Sequence, residues 1–179
     1  MKRINLKVSF IIPTYNSEKF ITECLDSIWK CGIEECKYEV IIVDDGSSDN
    51  TVLRCKEIST THNNLRIICQ CQSGPASARN VGIRHSLGEY IWFIDSDDCI
   101  TNSILKTIYH FLDSHNELIV FNYQTTTSLK KVILKDNNNT TGLEYLEHSD
   151  SLYVWDKIFL KKHIHYFFID NLYHIEDLY

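Results

Sequence analysis

The sequence predicts an α/β fold, with a mostly parallel, doubly wound sheet flanked by helices on both faces. Short strand-like runs recur at 8–12, 40–43, 65–69, 90–94 and 118–123. Between them lie stretches whose apolar residues fall at helical spacing or which begin on capping residues. The runs at 40–43 and 90–94 are apolar throughout, the pattern of a strand covered on both faces. Strands and helices in strict alternation imply crossover connections and therefore parallel pairing.

Taken in order, residues 8–12 form the first strand, ended by Pro13. Asn16 or Ser17 caps a helix running to about Cys31, with Phe20, Ile21, Cys24, Leu25, Ile28 and Trp29 on its inner stripe. The second strand is 40–43, after which Asp49 opens a helix through Val52, Leu53 and Ile58. Residues 65–69 give the third strand. Gly74 and Pro75 lead into a helix over 76–85, and Gly88 separates it from the fourth strand at 90–94. Thr101 or Asn102 caps a helix carrying Ile104, Leu105, Ile108, Phe111 and Leu112, and 118–123 is the fifth strand. The later pattern differs. An edge strand is expected at 129–134, a polar turn at 136–139, a short helix from the capping box at 141–144, and a helix over 155–163.

The chain has 179 residues, 18 Lys plus Arg against 24 Asp plus Glu, and a net charge of −6. That balance disfavours a phosphate backbone, so nucleic acid is not an expected partner. The apolar runs are far shorter than the ~20 residues that span a bilayer, and the start does not read as a signal peptide. Seven cysteines without zinc spacing read as reduced thiols of a cytoplasmic protein, with Cys24 and Cys69 among apolar neighbours. The eight histidines are scattered and none reads as a metal ligand. Residues 1–124 are expected to form a nucleotide-binding α/β half. Residues 125–179 are expected to form an acceptor-side portion of the same domain, incomplete at its C-terminus.

Ligands of open parallel sheets bind beyond the carboxyl ends of the strands. The first strand ends in Pro13-Thr14-Tyr15-Asn16, the second in Asp44-Asp45-Gly46-Ser47-Ser48-Asp49, and the fourth in Asp95-Ser96-Asp97-Asp98. Each acidic stretch alone reads equally as a turn or a capping loop. Together they bring an aromatic ring and several carboxylates to one crevice. Like charges so close repel, and a hard divalent cation relieves the repulsion. Mg²⁺ or Mn²⁺ there would also hold a nucleotide diphosphate. No P-loop or dinucleotide fingerprint is present. A phospho-receiver is disfavoured because the fifth strand ends Asn122-Tyr123-Gln124, without the lysine that fold needs.

Four segments then resemble the family 2 glycosyltransferases of GT-A, Rossmann-like fold. They are Ser9-Phe10-Ile11-Ile12-Pro13-Thr14-Tyr15-Asn16, the run from Glu39 to Asp49, the run from Gly74 to Gly82, and the run from Gly88 to Asp98. Trp155-Asp156-Lys157 and Glu176-Asp177 are weaker matches to later motifs. The chain is most similar in kind to members that build capsular and other surface polysaccharides. The resemblance implies an inverting transfer from a nucleotide-sugar, most often a UDP-sugar, to an acceptor hydroxyl on a glycan or lipid-linked glycan. It implies Pro13 and Tyr15 as the nucleobase wall and Asp45 as acceptor of the uracil N–H, with Asp44 bracing the loop. Gly74 would give backbone access near the nucleotide, its alternative being a simple turn. Asp97 matches the ribose-side acid and, with Asp98, the divalent-cation ligands; Asp95 shares either role. Arg79 either contacts the diphosphate or braces the acidic loop. Lys157 either stabilises the leaving diphosphate or is a surface lysine. Asp177 matches the general base, beside Glu176. A lipid-linked acceptor would bring the protein to the inner face of the membrane. The alternative is a sugar-nucleotide-binding module without turnover.

Overall fold

The computed structural model describes residues 6–30, 32–101, 108, 112, 118–120 and 157–164. Among them, six strands form one sheet in the order β3-β2-β1-β4-β6-β5. β1 spans Val8–Thr14, β2 Tyr38–Asp44, β3 Leu65–Cys69, β4 Tyr90–Phe93, β5 Leu118–Val120 and β6 Lys157–Leu160. β1 pairs in parallel with β2 and β4, and β2 with β3. β6 runs antiparallel to both β4 and β5.

Three helices are described: α1 at Ile21–Trp29, α2 at Thr51–Ser59 and α3 at Pro75–His85. Residues 21, 24, 25 and 28 of α1 and Cys55 of α2 pack on one face of the sheet with Phe10, Ile12, Val40, Ile42 and Trp92. Ile108 and Leu112, both helical and buried, join that face. Ile83 and Ala78 of α3 cover the other face, against Ile11, Ile91 and Phe93 and against Ile41 and Val43 respectively. All seven residues of β2 are buried, which explains its lack of polar alternation. The chain steps outward from β1 to β2 to β3, then crosses through α3 to place β4 on the opposite side of β1. The order of strands therefore reverses between β1 and β4, and such a switch point opens a crevice at the carboxyl ends.

Several boundaries differ from expectation. β1 runs through Pro13 instead of ending there, in register with Val43. The last bond of this edge is Ile94 N to Ile11 O at 3.0 Å. Pro13 nitrogen faces the same side two residues on, where β4 no longer pairs, so its missing N–H costs no ladder bond. α1 begins at Ile21, and neither Asn16 nor Ser17 caps it by its side chain. Asp49 stands just before α2, whose N-cap position is Asn50, and its Oδ1 accepts Thr51 N at 2.9 Å. Cys69 is exposed, as the last residue of an edge strand, whereas Cys24 is buried as expected.

The largest correction concerns 155–163. Its described part is not a helix but strand β6 followed by a 3₁₀ turn at Lys161–His163. Ile158 and Leu160 face the α1 side opposite Trp92 and Tyr90, while Phe159 meets Phe93 across the other face at 6.2 Å between ring centroids. A three-residue apolar run, Ile158-Phe159-Leu160, carries no period of its own, and here pairing with two strands decides it. The fifth strand is described over 118–120 only. The predicted elements at 129–134, 136–139 and 141–144 lie outside the described residues, as do 102–107 of the predicted fourth helix.

Candidate active site at the sheet switch point

The strand-end loops are joined to one another by side chains. Asn16, in a left-handed conformation with φ 51°, receives Ser48 N on its Oδ1 at 2.9 Å and donates its own N–H to Ser47 Oγ at 2.9 Å. Ser17 N donates to Thr51 Oγ1 at 2.7 Å, and Glu18 N to Asp49 Oδ2 at 3.1 Å. These bonds tie the loop after β1 to the loop after β2. Ser17 and Ser96 share a hydroxyl hydrogen bond of 2.7 Å, which ties β1 to the loop after β4. Tyr15 is left half-exposed at the mouth, 48% accessible, with Pro13 part-buried behind it. An exposed ring beside a carboxylate-lined crevice is suited to stack on a flat base.

Asp44 and Asp45 are both buried, but they brace different segments. Asp44 accepts Ser47 N at 3.1 Å and Ser47 Oγ at 2.5 Å, which closes its own turn. Asp45 accepts Gln70 Nε2 at 2.6 Å, Ser73 N at 2.7 Å and Gly74 N at 2.8 Å. Its carboxylate thus latches the segment between β3 and α3 to the carboxyl end of β2. Gly74 sits at φ 90° and ψ 162°, a region reserved in practice for glycine, so a simple turn residue would not serve there.

Asp95 pairs with Arg79 Nη2 at 3.1 Å, and its backbone carbonyl accepts Asp98 N at 3.0 Å. Arg79 itself is buried. Asp97 and Asp98 are exposed beyond this turn. Desolvation of the Asp98 carboxyl, followed by the charges of Asp95 and Asp97, pushes it up to about 6. Among the described residues no three His, Cys, Asp or Glu side chains converge into a metal-binding group. The two exposed carboxylates nonetheless offer the hard oxygen donors that Mg²⁺ or Mn²⁺ takes, in the small number typical where substrate phosphates complete the shell.

At the switch point the ends of β1, β2 and β4 and the loops that follow them, which carry Pro13, Tyr15, Asp45, Asp97 and Asp98, are bonded to one another, while Asp45 holds Gly74 and Arg79 reaches Asp95 from its buried place on α3. Glu176 and Asp177 lie outside the described residues. Lys157 is not a surface lysine: it is 1% exposed and starts β6 at the end of the sheet where β4 stops. Sequence reasoning missed Gln70, Ser73 and Ser17 as parts of the frame. The end of the third strand, Gln70-Cys71-Gln72-Ser73, was the signal available, and only its Gly74 drew notice.

An open, mostly parallel α/β sheet with helices on both faces and acidic turns at its switch point has the architecture of the GT-A glycosyltransferases. The model of the glycosyl transferase family 2 matches residues 9–167, and the chain belongs to that family. It is 41% identical over 113 residues to the poly(ribitol-phosphate) β-N-acetylglucosaminyltransferase TarS of Staphylococcus aureus (strain Mu50), covering 62% of this chain and 20% of that protein. It is 34% identical over 118 residues to glycosyltransferase GlyG of Streptococcus pneumoniae, covering 65% and 38%. The crystal structure of S. aureus TarS 1–349 in complex with UDP-GlcNAc superposes with a TM-score of 0.78 at 30% identity, over 96% of this chain and 51% of that one. The mannosyltransferase PcManGT of Pyrobaculum calidifontis, in complex with GDP-Man and Mn²⁺, gives 0.60 at 26% identity over 67% and 36%. The chain thus spans 20% and 38% of these two curated relatives. Among the described residues no helix is long and apolar enough to cross a membrane.

Proposed function

We propose that this chain transfers a sugar, with inversion, from a UDP-sugar to an acceptor hydroxyl in the synthesis of a bacterial surface polysaccharide. The observation that supports the proposal is that the loops after β1, β2 and β4, to which Tyr15, Asp45, Asp97 and Asp98 belong, are hydrogen-bonded to one another at the switch point of the sheet. Tyr15 and Pro13 wall the base. Asp45, already holding Ser73 and Gly74, presents its remaining acceptor capacity to the uracil N–H. Asp97 and Asp98 would hold Mn²⁺ or Mg²⁺, which when bound screens the diphosphate from the acidic turn. Asp177, with Glu176 beside it, takes the acceptor proton as the nucleotide departs from the opposite side. In domain terms, 1–124 supplies the donor half and 125–179 the acceptor side. The acceptor is a glycan, free or lipid-linked, and a lipid-linked one would bring the reaction to the cytoplasmic face of the membrane.

A UDP-GlcNAc complex among the similar structures supports the nucleotide, and the Mn²⁺ complex supports the ion. The names of TarS and of the minor teichoic acid biosynthesis protein GgaB of Bacillus subtilis, 34% identical over 119 residues, support the polymer class. Calorimetric titration of UDP with Mn²⁺ and with EDTA tests the donor site. Tighter binding by more than tenfold with Mn²⁺ is expected, and equal affinity in both buffers would remove the metal from the site. A second reading is donor binding without turnover. Release of sugar from UDP-GlcNAc or UDP-glucose by this chain, measured with and without acceptor, separates the two.

A further inference from the structure

The acidic turn after β4 carries three carboxylates, and the geometry does not treat them alike. Asp95 is ion-paired to Arg79 at 3.1 Å, while Asp97 and Asp98 stand exposed. We propose that Arg79 is a positioning residue: by engaging Asp95 it makes that carboxylate the anchor of the turn and leaves the cation to Asp97 and Asp98. The inference rests on the donor-site reading above and refines it.

Three observations support it. First, Arg79 is 4% exposed while Asp95 is partly exposed, so the pair joins a buried cation on α3 to a carboxylate at the surface. Second, α3 is held close enough for this by Gly82. A Cβ at that position would lie 2.3 Å from Ile11 Cγ2, so the helix approaches β1 at a distance only glycine allows. Arg79, three residues earlier, is thereby set over the carboxyl end of β4. Third, the turn is pinned at Asp95 and Ser96. Asp95 O accepts Asp98 N at 3.0 Å and lies 3.6 Å from Cys24 Sγ, and Ser96 is bonded to Ser17 at 2.7 Å. The Arg79 Nη2 to Asp95 Oδ1 bond is charge-assisted and, made by a buried guanidinium, holds the carboxylate in place. Asp97 and Asp98 then project from a rigid base.

The test measures UDP affinity with Mn²⁺ and with EDTA for the chain and for Arg79→Met, Arg79→Lys, Asp95→Ala and Asp95→Asn. Arg79→Met and Asp95→Ala should each cut the Mn²⁺-dependent gain at least fivefold while affinity in EDTA stays within twofold. Their double variant should be no worse than either alone. Asp95→Asn, which still accepts from Arg79, should keep most of the gain, and Arg79→Lys part of it. A fall in EDTA affinity for Arg79→Met with the metal gain intact would mean the guanidinium touches the diphosphate itself. Equal losses in Asp95→Asn and Asp95→Ala would make Asp95 a ligand. Either result overturns the inference while sparing the donor site. Absence of UDP binding by the unaltered chain would refute the donor reading and this refinement together. Asp95 is partly exposed, so its variants keep the test available should Arg79→Met fail to fold.

Discussion

Asp45 accepts its three hydrogen bonds from groups 25, 28 and 29 residues away. Two of those donors are backbone amides, and Asp45→Ala leaves both without their acceptor. Bonds to a charged group contribute about 1.5–3 kcal/mol each, so a net loss of roughly 2–4 kcal/mol is expected once partial rescue by water is allowed for. Urea unfolding should show a lower midpoint at unchanged slope; an unmoved midpoint would contradict the latch. Asp98 makes a different case. Its folded-state pKa of about 6 lies above the ordinary 3.8, so the folded protein holds that proton more tightly than the unfolded chain. The associated stability is present below the ordinary value and is lost as pH rises through about 6. In metal-free buffer, Asp98→Asn should therefore raise Tm above pH 7 and change it little near pH 3.5. A gain of the same size at both pH values would sink this account. The carboxylates themselves were legible in the sequence because they follow buried strands. Which of the pair Asp44 and Asp45 latches which segment was not, because the deciding donors come from the end of another strand.

At the scale of elements, the close approach of α3 to β1 depends on one missing side chain. Gly82→Ala introduces a methyl group 2.3 Å from Ile11 Cγ2, and overpacking of this kind costs about 1–3 kcal/mol. Calorimetry should find a lower Tm, and Ile11→Val in the same chain should recover part of it by vacating space on that face. If Gly82→Ala alone melts like the parent, the contact is not tight. β3 and α3 match the sequence expectation to within a residue, because Pro75, Gly88 and the flanking turns punctuate them. The start of α1 was misplaced because Ser17, a good cap by type, spends its hydroxyl on Ser96 and Tyr15 O. β6 was misread because its identity depends on β4 and β5, which are remote in sequence.

For the molecule as a whole, strand order reverses between β1 and β4, the place where open α/β sheets take ligands, and alternation of strands and helices made that legible. Reactivity needs the acceptor side as well. Asp177→Asn is nearly isosteric and should keep UDP and Mn²⁺ binding while lowering transfer by ~10²-fold or more, the span of a general base. Glu176→Gln should impair the chemical step less. Transfer rates at saturating donor read both, and an active Asp177→Asn enzyme would move the base elsewhere. The proposed acceptor side was less legible because its sequence motifs are sparse, and most of it lies outside the described residues.

The place of β6 between β4 and β5 also bears on how the chain is made. On a ribosome, β1 to β4 emerge in an order that lets each new strand find a finished neighbour. β5 does not, since its partner in the described sheet is β6, and synthesis must pass from Val120 to Lys157 before that partner exists. At ~5–20 residues per second the wait is on the order of seconds. During it, the open side of β4 and both sides of β5 present unpaired backbone, the template on which nascent chains cross-pair. Slow elongation over this interval should thus lower soluble yield more than the same delay placed earlier.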